Sequence, residues 1–215
     1  MFTIRKVEPH PVWHVEIDDR WELGMTFLRI QEHYESGNPD FQGKIFSLEE
    51  YMDWYASAYI KSKKLHGAFI YASNWAAFNV PGSSVLAVYL TFPEHSKKEV
   101  RLFNALLEEK AFDIEHFYVI ANRRGAPKSF FNHEFRHALF AVNAEYREDV
   151  VAIVAQYPLV ELSQWILKHY APSVLVDEIQ AYALTGWPSK VRVTLEMRAL
   201  RRELKAVEKK YLTRP

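Results

Sequence analysis

The chain contains the run His133-Glu134-Phe135-Arg136-His137, two histidines four positions apart with a glutamate directly after the first. On a helix, positions i and i+4 share a face one turn apart, so two imidazoles so spaced can hold one cation between them. Imidazole nitrogen suits zinc, and the neighbouring carboxylate can then hold and deprotonate a water. His133 and His137 are therefore the expected metal ligands and Glu134 the expected general base. The 215 residues include no cysteine. Disulfides, thiolate catalysis and cysteine-ligated zinc are all excluded, and any metal depends on His, Asp and Glu.

At roughly 100° per residue, Phe131, Phe135, Ala138, Leu139 and Val142 form one apolar stripe, with His133 and His137 nearly opposite. A helix of this pattern packs one face on a core and turns its imidazoles toward a cleft. A catalytic zinc takes three protein ligands and leaves a further position for water. The extension that would supply a third histidine downstream is absent, because positions 140 and 143 are Phe140 and Asn143. Glu145 lies two turns beyond His137 on a continuing helix, out of reach of a shared ion. The best third ligand is Glu178, within Val174–Leu184, where it shares a wide apolar arc with Val174, Leu175, Ile179, Ala181 and Tyr182. A carboxylate on such a face needs a compensating positive charge, and a metal ion supplies one. Asp177 and His169 are the alternatives. Tyr182, one turn after Glu178, is a candidate donor to a developing oxyanion; Tyr170 and His169 are alternatives, and a plain core aromatic is the other reading of Tyr182. Arg136 leans away from the histidine pair, toward substrate or a carboxylate.

An HExxH helix, followed after a helical spacer by a helix with Glu178 in the setting Asp177-Glu178-Ile179-Gln180-Ala181-Tyr182, resembles the gluzincin zinc metallopeptidases. The spacer from His137 to Glu178 is similar to that of the lethal-factor-like members in its length. The resemblance covers about residues 97–186, and residues 1–96 resemble no particular family. It implies a zincin-like α+β fold, a Zn2+ cofactor held by His133, His137 and Glu178, Glu134 as general base, and a peptide or protein substrate. Thermolysin-like members carry an aspartate four residues after the ligand glutamate, orienting a ligand histidine. Tyr182 stands there instead, so the partner of that histidine is unassigned. Zincins also bind extended substrates along a sheet edge, which 117–121 or 85–92 would supply.

The positioning elements follow from the rest of the chain. Residues 1–18 alternate like strands, 20–35 read as a helix ending in Ser36-Gly37-Asn38-Pro39, and Ser47 with Glu50 forms a capping box that opens another helix. Runs 68–72, 85–92 and 117–121 read as strands, the stretch Trp75 to Ser84 as a loop against the cleft or core, and 97–112 as a helix. From 129 onward the pattern is almost wholly helical. The expected architecture is a small mixed sheet with helices in an N-terminal lobe, 1–143, and an all-helical lobe, 144–215, packed as one domain.

Twenty-seven basic residues balance 27 acidic ones, so no chain-wide pull toward nucleic acid or anionic lipid is expected. No segment is apolar enough to span a bilayer, and the first residues lack a secretory apolar core. The protein is expected in the cytoplasm, or exported without a cleaved signal. The segment 188–215 is basic and places Val193, Met197, Leu200, Leu204, Val207 and Tyr211 along one helical seam. Two rival readings remain: a non-catalytic binding module on a zincin shell, and a helical interaction protein in which HExxH is incidental.

Overall fold

The computed structural model describes residues 1–61 and 69–212, and they form two compact units, 1–7 with 11–126 and 8–10 with 127–215. The first unit is built on a four-stranded mixed sheet. Strands β1 (Phe2–Lys6) and β2 (Val12–Ile17) pair antiparallel; β4 (Tyr118–Arg123) lies parallel to β2 and antiparallel to β3 (Ala77–Pro81), giving the order β1-β2-β4-β3. Helix α1 (Arg20–Glu35) follows β2. Asp19 opens it by accepting the Glu22 amide at 2.7 Å, which satisfies one of the donors a helix start leaves free. Every residue from Leu23 to Glu32 is buried, because α1 lies over the sheet and under further helices: α3 (Tyr71–Asn74), α4 (Gly82–Thr91) and α5 (Lys97–Glu108).

The capping box at Ser47 forms as the sequence requires. Glu50 N donates to Ser47 Oγ at 3.0 Å and Ser47 N to Glu50 Oε2 at 2.6 Å, opening α2 (Leu48–Lys61). The run 85–92, expected as a strand, lies in helix α4 up to Thr91, with Phe92 as its C-cap. A short apolar run looks alike in a buried strand and a buried helix, and here Pro81 caps a helix at once. Gly82 is needed at its start, since a Cβ there would come within 2.3 Å of the Phe117 ring. The stretch read as a loop from Trp75 to Ser84 instead contains strand β3 and the first turn of α4. Of the strand expected at 68–72, residue 68 lies outside the described residues, and Tyr71 and Ala72 begin α3. Neither substrate-edge candidate is an edge: β4 is paired on both sides, and 85–92 is helical.

The second unit is helical: α6 (Lys128–Val142), α7 (Ala144–Val154), α8 (Val160–Leu167), α9 (Leu175–Thr185) and α10 (Leu195–Leu212). Helix α6 ends at Val142 because Asn143 turns the chain and caps α7, accepting the Tyr146 amide at 2.9 Å. Leu139, Tyr146, Val150, Leu162, Ile166, Ile179, Ala183, Leu200 and Leu204 form its core. The seam of α10 packs inside this unit, with Met197, Leu200, Leu204 and Tyr211 buried and the helix laid on α7 and α9. The α+β arrangement, a small mixed sheet with helices followed by an all-helical region, is the one the zincin resemblance implies. Among the described residues, no helix is long and apolar enough to cross a membrane.

Candidate metal centre

Helices α6 and α9 pack side by side and bring the HExxH face of one against Glu178 of the other. The ligand-capable atoms of His133, His137 and Glu178 all lie within 4.8 Å of one another. The imidazoles are less open to a cleft than the helical pattern suggests. His137 is buried at 6% exposure and Glu178 at 7%, because α9 covers that face of α6.

The outer nitrogen of each imidazole is tied off. His133 Nδ1 meets Thr185 Oγ1 at 3.0 Å, while the same hydroxyl donates to Ala181 O at 2.6 Å. The hydroxyl's proton is thus used, so His133 Nδ1–H is the donor to Thr185 and Nε2 carries the lone pair. His137 Nδ1 lies 3.0 Å from Asp177 Oδ2. That carboxylate is steadied from behind: Gln180 Nε2 donates to Asp177 Oδ1 at 2.9 Å, and Tyr146 Oη donates to Gln180 Oε1 at 2.9 Å. Gln180 is fully buried. An imidazole whose far nitrogen donates to a carboxylate or hydroxyl is the usual form of a metal-ligating histidine.

The two inner nitrogens face each other, His137 Nε2 at 3.2 Å from His133 Nε2. Two lone pairs cannot sit so close without a positive charge between them. Burial pushes His133 down to about 4, helped by the neighbouring His137 and Arg136 charges. For His137, burial also opposes charge, but Asp177, Glu178 and Glu134 outweigh it and raise the group to about 9. These carboxylates favour the protonated ring, in which His137 Nε2–H is placed to donate to His133 Nε2.

The same gap suits zinc. With Zn–N bonds of about 2.0–2.1 Å in tetrahedral geometry, two ligand nitrogens stand about 3.3 Å apart, which the two Nε2 atoms nearly match. Glu178 Oε1 is farther out, 3.9 Å from His137 Nε2, and the widest separation in the triad exceeds the ideal by about 1.5 Å. The donor set, two neutral imidazoles and one carboxylate, fits a divalent zinc ion, and the cluster matches the HExxH…E arrangement of a gluzincin-type site.

The remaining candidates divide cleanly. Glu134 is half-buried, and its charge is felt by His137, Tyr170 and Tyr182. The Tyr182 ring lies 5.0 Å from that of His133, and its hydroxyl is 3.0 Å from Tyr170 Oη. Burial, reinforced by the Glu178 and Glu134 charges, pushes both phenols above their ordinary range, so both remain protonated donors. Asp177, weighed as a ligand, instead sits on the far side of His137. His169 is not brought in: its Nδ1 lies 2.7 Å from Trp165 O and its ring packs on Trp165. Arg136 meets a carboxylate, Glu208 of α10, at 2.7 Å. Glu145 falls in the first turn of α7, outside the cluster. Thr185, Gln180 and Tyr146 were not singled out from the sequence. Thr185 follows Glu178 by seven residues, two helical turns on the same face, and that spacing is the signal that would have found it.

The chain matches no protein-family model, no curated protein and no solved structure.

Proposed function

We propose that the chain is a zinc-dependent peptidase-like hydrolase with His133, His137 and Glu178 as ligands and Glu134 as general base. The observation that carries this reading is the pair of imidazoles whose Nδ1 atoms are both engaged and whose Nε2 atoms converge 3.2 Å apart beside a buried carboxylate. When bound, zinc supplies Lewis acidity, making water acidic near neutral pH and polarising a carbonyl oxygen. Thr185 and Asp177 hold the imidazoles in the tautomer that leaves Nε2 free to ligate. Glu134 accepts a proton on its carboxylate from the attacking water and delivers it to the departing amide nitrogen. Tyr182, backed by Tyr170, donates its phenolic proton as a hydrogen bond to the oxyanion that forms at the carbonyl.

The test is zinc content and peptide hydrolysis measured together. Wild type should carry one zinc per chain and cleave members of a mixed peptide library, with cleavage abolished by a chelator. Glu134→Gln should keep the zinc and lose about 10²–10⁴-fold in rate. Zinc without hydrolysis in wild type would make the chain a binding module, and absence of zinc would leave HExxH incidental.

A further inference from the structure

The first unit holds a cavity of about 360 Å³ that the metal centre does not use. Five aromatic side chains line it: Tyr51, Trp54, Tyr55, Tyr71 and Trp75. Their rings abut one another at varied angles. Tyr51 and Tyr71 are 5.6 Å apart and nearly perpendicular, Tyr51 and Trp54 5.3 Å apart at 51°, and Tyr71 and Trp75 5.8 Å apart at 46°. Neighbouring rings thus meet at angles and form a continuous aromatic lining.

At the inner wall stands Glu32, from the buried stretch of α1, itself 6% exposed. Ser36 Oγ donates to its Oε2 at 2.7 Å, and the Tyr71 hydroxyl lies near it without a well-directed hydrogen bond. Among the described residues, no lysine or arginine lines the cavity. A carboxylate in such surroundings is costly to keep ionised, and burial indeed pushes Glu32 upward against the hydroxyls of Ser36, Tyr71 and Tyr51. The rim is formed partly by Trp54, which is 37% exposed, so the cavity is reachable from solvent.

We propose that this cavity is a second ligand site that takes an organic ammonium group bearing at least one N–H, such as a methylated amine. Aromatic faces attract a cation whose charge is spread over methyl groups and which sheds water easily. A buried carboxylate adds one strong acceptor, which an N–H can meet and a fully methylated nitrogen cannot. A compact inorganic ion lacks the apolar surface to fill a cavity lined by aromatic side chains. A neutral ligand of the same shape brings no positive charge to the Glu32 carboxylate.

The experiment titrates the full chain with trimethylammonium chloride at constant ionic strength, read by calorimetry and by the fluorescence of Trp54 and Trp75. Tetramethylammonium and tert-butanol serve as the comparison probes. Saturable binding is expected for trimethylammonium, weaker by about fivefold or more for tetramethylammonium, and none for tert-butanol. Glu32→Gln should weaken trimethylammonium by about tenfold or more. Trp54→Leu, which keeps bulk at the exposed rim while removing a ring face, should weaken it several-fold with the fold intact by circular dichroism. If Glu32→Gln does not fold, Trp54→Leu decides. No saturable binding, equal binding of tert-butanol, or unchanged affinity in the folded variants would overturn the proposal.

Discussion

The two units both bury charged side chains, and they dispose of them differently. In the first, Arg29 of α1 and Glu99 of α5 form a closed pair: Nε to Oε1 at 2.7 Å and Nη2 to Oε2 at 2.6 Å, with side chains 5% and 0% exposed. The other donors are also consumed, Nη2 reaching Glu94 O at 2.7 Å, while Glu99 caps its own helix through Ser96. In the second, His133 and His137 use their outer nitrogens on Thr185 and Asp177 and turn their inner ones, beside Glu178, toward a common point. A structural ion pair spends its donors and acceptors on itself. A site spends only those that set orientation.

That contrast breaks first at Glu178. Glu178→Ala should lower zinc affinity by about 10³-fold, roughly one ligand's share of a zinc site, while helical content stays that of wild type. Metal analysis beside circular dichroism checks it, and an unchanged zinc content would remove Glu178 from the ligand set. Arg29→Met tests the other side. It strands the Glu99 carboxylate in the core and should cost about 3 kcal/mol or more of stability, with zinc retained by the folded fraction. A denaturant midpoint near that of wild type would show that the pair is less closed than its distances imply.

Asp177→Asn should follow, weakening zinc by about 10–100-fold. The carboxylate accepts from both His137 Nδ1 and Gln180 Nε2, and an amide of the same shape has only one acceptor atom for the two donors. Zinc titration against a competing chelator measures the loss. If Asp177→Asn destroyed zinc binding as fully as Glu178→Ala, Asp177 would belong among the ligands and not behind one.

How much of this could be read from the sequence depends on how local each signal was. The HExxH face, the capping box at Ser47 and the helices from α6 onward are set by spacing within one element, and they formed as read. Glu178 was legible for a different reason: an ionisable residue on an apolar face demands a partner, wherever that partner comes from. What failed was the assignment of short apolar runs. Residues 85–92 carry the composition of a buried strand, and only the tight start at Pro81-Gly82 against Phe117 makes them a helix. Strand β3 was missed because its neighbour is β4, more than thirty-five residues away in sequence. The partners of the imidazoles were missed for a related reason. Asp177 reads as an alternative ligand and Thr185 as an ordinary residue of α9 until α6 is laid against it.

The smallest effect separates the two imidazoles from each other. His137 leans on a charged carboxylate, and His133 only on the hydroxyl of Thr185. A neutral acceptor orients a ring without adding much to its basicity, so Thr185→Val should weaken zinc by less than about tenfold, below the loss from Asp177→Asn. Valine keeps the branched shape near the end of α9, and Thr185→Ser restores the hydroxyl without the methyl. Serine should therefore recover wild-type affinity if the hydrogen bond matters, and fail to do so if packing does. Nitrogen chemical shifts of the metal-free protein provide the second readout. The His133 ring should hold its proton on Nδ1 in wild type and Thr185→Ser, and exchange between both nitrogens in Thr185→Val. A single fixed tautomer in all three would mean that the bridging His137 proton alone orients His133, and that Thr185 contributes nothing beyond contact.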